Sequence, residues 1–173
     1  AAWHYAAEHG HHEHIAAACQ SLYLFSLIRS RHLEGIWLFE EMWSKSAGEQ
    51  TEARYLYALA SWKALLSHAG SHEEALASAE ELQNVVERES AEPAVLAYCR
   101  LALGPIFLFN GRFEDAKAVL TAANSYYEAV QDQFYAAETL SRLAMVIGNL
   151  GQREEAMELS RRGLDLARQV NDR

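Results

Sequence analysis

The sequence predicts an all-α fold, a right-handed solenoid of about four helical hairpins with a period of about 40 residues. Three observations lead there. First, a break of the form Gly-x-x-x-x-Ala recurs at 70–75 (GSHEEA), 111–116 (GRFEDA) and 151–156 (GQREEA), with a degenerate copy at 30–35 (SRHLEG). The breaks start at 30, 70, 111 and 151, so they lie 40, 41 and 40 residues apart, the mark of stacked helical units. Second, 50% of the residues are apolar and only 2 are proline, while the helix formers Ala, Leu, Glu and Gln are abundant. Third, apolar residues between the breaks fall three and four apart, as in Leu56, Leu59, Trp62, Leu65 and Leu66, the spacing one helix face requires.

Taken in order, residues 1–10 read as the end of a preceding helix closed by Gly10. Helices are expected over 11–29 and 33–45, joined by the turn 30–32, and a polar linker follows at 46–49. The second pair spans 50–68 and 72–88, with a linker at 89–92. The third spans 93–109 and 112–130, opening on Pro93, where the missing N–H costs nothing. The fourth spans 133–150 and 152–170. The whole chain, 1–173, is then one array, with repeats at 11–48, 49–91, 92–131 and 132–173. It starts on Ala, not Met, and already in helical pattern, as expected of a piece of a longer protein.

Charge narrows the function. With 15 Lys and Arg against 24 Asp and Glu, the net charge is -9, and the basic residues are scattered, so direct nucleic acid binding is not expected. No apolar run approaches the roughly 18 residues that span a bilayer. Cys19 and Cys99 both sit in apolar helical stretches and read as two buried reduced thiols, which makes the cytoplasm the default compartment.

Paired acids precede the small residue of three breaks: Glu73-Glu74, Glu114-Asp115 and Glu154-Glu155. In a first helical turn, free N–H groups and the helix dipole favour negative charge, so these pairs set helix starts and are not read as catalytic. Ala75, Ala116 and Ala156, with Gly35 in the first unit, permit close helix approach. Gly104, seven residues before Gly111, does the same from the preceding helix. Its counterparts are Ala144 in the fourth pair, Lys63 in the second and Tyr23 in the first, and close approach is not expected at the last two.

These residues resemble a known family. Leu103, Gly104, Phe107, Gly111, Ala116, Leu120 and Ala123 stand at the spacings of a tetratricopeptide repeat (TPR). Leu143, Ala144, Ile147, Gly151 and Ala156 echo them, although Ser160 and Arg100 depart from the pattern. The period exceeds the roughly 34 residues of the standard repeat. The N-terminal third, with its EHG break, an aromatic helix ending Leu-Ile-Arg and the segment LEGIWLFEEMW, resembles the start of the repeat region in large bacterial regulators of the STAND class, signal-transduction ATPases. The resemblance implies a regulatory, sensor or partner-binding arm in signal transduction or transcription regulation, with the ATPase module elsewhere. This chain has no G-x-x-x-x-G-K-[ST] phosphate loop.

No nucleophile–base pair stands out, so no catalytic residues and no cofactor are expected. His4, His9, His11, His12 and His14 crowd the N-terminus, but their spacing fits no zinc pattern and they flank a helix break; a solvated turn is the expectation and no metal. By analogy with the family, the first helix of each pair lines a concave groove. That places Tyr57, His68, Tyr98, Leu108, Arg142, Met145 and Asn149 on it, beside Leu24, Leu27 and Leu101, of which several also read as core. Such a lining suits a protein or peptide partner, or neighbouring domains of the same parent chain. The alternative is a free-standing TPR scaffold docking a partner peptide. Truncating Tyr98 is expected to spare helicity. The last helix spreads Met157, Leu159, Leu164, Leu166 and Val170 over more than one face, which would suit a following repeat, a tail in the full protein or a dimer partner; a continuation of the array is favoured, with self-association through its open ends the alternative.

Overall fold

The computed structural model describes residues 12–45, 53–77, 79–88 and 91–171. Within them the fold is all-helical: α1 (His12–Ile28), α2 (His32–Lys45), α3 (Ala53–His68), α4 (His72–Ala77), α5 (Glu80–Glu87), α6 (Pro93–Phe109), α7 (Phe113–Ala129), α8 (Gln133–Asn149) and α9 (Arg153–Asn171). The expected helix end 1–10 and the linker 46–49 lie outside the described residues, as do the side chains of His4, His9, His11, His12 and His14. No described helix is long and apolar enough to cross a membrane.

Each of the four breaks contains a left-handed residue: Ser30 (φ 53°), Gly70 (91°), Gly111 (73°) and Gly151 (82°). The bonds around it are the same each time. The Gly111 N–H donates to the Leu108 carbonyl at 3.1 Å and the Arg112 N–H to the Phe107 carbonyl at 2.9 Å, which is the Schellman cap that satisfies the last carbonyls of a helix. Equivalent pairs of bonds close α1, α3 and α8. A fifth copy sits between α7 and α8, where Gln131 takes φ 58° and bonds to Glu128. Five residues after each left-handed residue stands a small one: Gly35, Ala75, Ala116, Ala136 and Ala156. Its N–H makes the first backbone bond of the new helix, as from Ala116 to Arg112 at 3.0 Å. The paired acids do lie in the first turns of α4, α7 and α9.

Packing follows chain order. The helix α3 packs on both α1 and α2, α6 on α3, α4 and α5, and α8 on α6 and α7, while α9 packs on α8. Each first helix thus settles into the groove of the preceding pair, and Phe39, Leu59, Leu82, Ile106, Leu120 and Ile147 are sealed in the resulting core. Gly104 is required by this packing, because a methyl there would stand 2.5 Å from Leu120 Cδ2.

One expectation is corrected. The helix expected over 72–88 is described as two pieces, α4 and α5; the Ala79 N–H turns to the Leu76 carbonyl at 3.0 Å, three residues back. The helix expected over 93–109 is found as α6, which runs through Gly104 and Pro105. Proline supplies no N–H to the carbonyl four residues earlier. That carbonyl belongs to Leu101, and Nη1 of Arg142 in α8 donates to it instead at 3.3 Å.

Ala116 is fully buried at the α6–α7 contact. Ala116→Trp is expected to destabilise the third pair by at least about 1–3 kcal/mol through overpacking, read as a lowered urea midpoint. A variant that melts like the parent chain would show that this register is wrong.

Candidate functional site

The residues expected along one groove separate into three places. Tyr98, Leu108, Arg142 and Leu101 are buried, at 3%, 8%, 7% and 3% exposure, and so belong to the interior. Tyr57, His68, Leu24 and Leu27 are half-buried, whereas Met145 and Asn149 are exposed.

The interior group gathers around Tyr98. Its ring lies 5.0 Å from that of Tyr57 and 6.1 Å from that of Tyr135, both edge-on, and Tyr135 stacks on Tyr127 at 5.1 Å. The Tyr98 hydroxyl shares a 2.9 Å hydrogen bond with Ser61 Oγ. From α1, Tyr23 places its ring 6.4 Å from Tyr98. Its hydroxyl accepts from Arg142 Nη2 at 3.1 Å, joining residues 119 apart in sequence. Arg142 also donates from Nε and Nη2 to Glu138 Oε1, at 2.9 and 2.5 Å. With the bond to the Leu101 carbonyl, one guanidinium ties the first, third and fourth pairs together.

Burial decides the protonation states here. It raises the Tyr98 phenol well above its usual range, with neighbouring Tyr23 adding to the shift, and raises Tyr127 and Tyr135 likewise. For Arg142, burial works against the charge, but Tyr23 and Glu138 outweigh it and hold the pKa above the ordinary value. The Tyr98, Tyr127 and Tyr135 phenols are therefore neutral, beside the ion pair of Arg142 with Glu138. Cys19 and Cys99 are buried and free, and burial pushes both thiols up to about 12, so at neutral pH they are protonated.

A second cluster gathers the ends of α3 and α6 with the starts of α2 and α4. The His68 ring lies 6.3 Å from His32 and 5.8 Å from Phe109, and His72 stacks on Phe109 at 5.2 Å. Asn110 Nδ2 fixes the local backbone by donating to the His72 carbonyl at 3.1 Å. His68 Nε2 is buried without a hydrogen-bond partner among the described residues. Burial, with Arg142, His32 and His72 nearby, pushes this imidazole down to about 4. Among the described residues no group of His, Cys, Asp and Glu is arranged to hold a metal ion.

Two surface concavities lie toward the C-terminal helices. A cleft of about 580 Å³ between α7, α8 and α9 is floored by Tyr127, Ala136 and Leu166. Its rim charges are already engaged: Arg162 with Glu128 at 2.8 Å, and Asp132 with the Tyr135 N–H at 3.1 Å. A groove of about 360 Å³ runs between α8 and α9 over Ala137, Ser141, Ser160 and Gly163.

Tyr23, Glu138 and Tyr135 were not among the sequence candidates. Glu138 and Arg142 are four apart on one helix, a spacing that brings opposite charges together and could have been read. Tyr23 occupies the register position that Gly104 and Ala144 hold in later pairs, and its bulk was the clue. No protein-family model matches the chain, and none of the curated proteins matches it.

Tyr98 is packed on several sides and only 3% exposed, so its truncation removes core contacts as well as any role on a binding face. Tyr98→Ala is expected to cost about 3–5 kcal/mol, as for a buried aromatic, measured by chemical denaturation; a cost below about 1 kcal/mol would contradict this packing.

For His68, the unfolded chain takes a proton near pH 6.5 and the folded chain only near 4. Stability must therefore fall as pH drops through that window. His68→Phe keeps the ring contacts and removes the titration, so its melting temperature should fall less than that of the parent chain between pH 6.5 and 4. Parallel curves would refute the assignment.

Proposed function

We propose that the chain is a non-catalytic protein-interaction module, a right-handed TPR-like α-solenoid of four helical pairs with a period of about 40 residues. The observation that carries this reading is the recurrence of one link at every hairpin, a left-handed cap followed five residues later by Gly35, Ala75, Ala116 or Ala156. Together with first helices that pack on first helices, it is the arrangement by which repeat units stack into an extended surface. The resemblance of the sequence to the repeat region of bacterial STAND regulators favours a regulatory arm in the cytoplasm, acting on a protein partner or on neighbouring domains of the same parent chain.

The interior group also supports binding over chemistry. The Tyr98, Tyr127 and Tyr135 phenols and the two thiols are held protonated, and the charged donor Arg142 is engaged on Glu138, Leu101 and Tyr23. The accessible members of the inner face are Tyr57, His68, Met145 and Asn149.

Site-specific photo-crosslinking tests the proposal. A benzophenone amino acid at Tyr57, Met145 or Asn149 should yield one discrete crosslinked species containing a nucleotide-binding module, in the same polypeptide or another. The same probe at exposed Ala118 on α7 should not. Equal yields from Ala118, or none from the three inner positions, would defeat the reading.

A further inference from the structure

The contact between Tyr23 and Arg142 differs in kind from the others. Elsewhere among the described residues, the main helix contacts join helices no more than three apart in the chain: α1 lies on α2 and α3, α6 on α3, and α8 on α6, α7 and α9. Tyr23 carries α1 across to α8 by one hydrogen bond to Arg142, and to α6 by one edge-on ring contact with Tyr98. Arg142 does not need Tyr23 to stay satisfied, since it keeps two bonds to Glu138 and one to the Leu101 carbonyl that Pro105 leaves free. Breaking the Tyr23 hydrogen bond therefore strands no buried charge, although the ring is only 4% exposed and sits in the core. It uncovers the sides of Tyr98 and Arg142 that Tyr23 meets, two of the residues that the sequence would place on an open inner face.

We propose that Tyr23 is a releasable clasp across the inner face, and that the slot it fills, formed by Tyr98 and Arg142, takes a phenol from a partner when the clasp is open. The phenol class follows from the occupant in place. A flat ring sits edge-on to Tyr98 while its hydroxyl accepts from the guanidinium, so a tyrosine side chain presented by another protein meets the same two features. This second part rests on the interaction-module reading, whereas the clasp itself does not.

Spin labels at Ile28→Cys and Asn149→Cys, at the exposed ends of α1 and α8, report the opening by pulsed dipolar spectroscopy. Cys19 and Cys99 are fully buried and are left unlabelled. The parent chain should give one narrow distance distribution. Tyr23→Phe, which loses only the hydroxyl, should add a longer population with helicity unchanged by circular dichroism. Superimposable distributions would overturn the clasp. For the slot, Tyr23→Ala should gain thermal stability from p-cresol and distinctly less from toluene, which has the ring without the hydroxyl. Equal effects of the two, or no effect of p-cresol, would overturn the phenol assignment. Should Tyr23→Ala not fold, the same comparison is made on Tyr23→Phe, where p-cresol should add further to the long-distance population and toluene should not; matching responses again overturn it. Neither measurement involves a protein partner, so failure here is distinguishable from failure of the crosslinking test.

Discussion

Most of the structure depends on the distance between a left-handed residue and a residue without bulk. The left-handed residue ends a helix by turning its last carbonyls onto the chain just beyond, which fixes the direction in which the chain returns. Five positions later the returning helix meets its partner at closest range, and a side chain larger than a methyl does not fit. A Cβ on Gly35 would stand 2.7 Å from Leu65 Cδ1 and 2.6 Å from Ser26 Oγ. The contact with Leu65 belongs to the next pair, so one small residue governs both the closing of its own hairpin and the seating of the helix that follows.

Arg142 shows how an interior irregularity can be absorbed. A proline within a helix leaves a carbonyl unpaired, and an unpaired buried polar group costs about 1–3 kcal/mol. Here the vacancy at Leu101 is met by a charged donor from two helices further on, and charge-assisted bonds are the stronger kind. The guanidinium is itself held by Glu138, which is partly exposed. The desolvation cost of the pair is therefore less than for an ion pair sealed on both sides. Pro105, Glu138 and Arg142 form one unit, although they come from two helices and no single local pattern contains them.

What could be read in advance divides along the same line. The turns at Gly70, Gly111 and Gly151 were legible because positive φ is a backbone demand that glycine meets at no steric cost. The helix ends from Pro93 onward fall within a residue or so of expectation for that reason. The fifth cap escaped notice because Gln131 adopts the left-handed conformation without glycine to announce it, although Ala136 stood at the telltale distance. The inner face was less legible. That Tyr98 and Arg142 are covered depends on Tyr23, 119 residues from Arg142, and on the helix packings that lie between them. Periodicity places a side chain on a face but does not say whether that face is later met from across the molecule.

The span of that contact also bears on the order in which the molecule assembles. Interfaces between chain neighbours close short loops, and folds dominated by such contacts form quickly. Each hairpin here can condense on its predecessor without waiting for the rest. The union of Tyr23 with Arg142 carries a larger loop entropy and acquires its geometry only after the intervening pairs have docked. Its geometry is thus a product of all the docked pairs together and of no single hairpin.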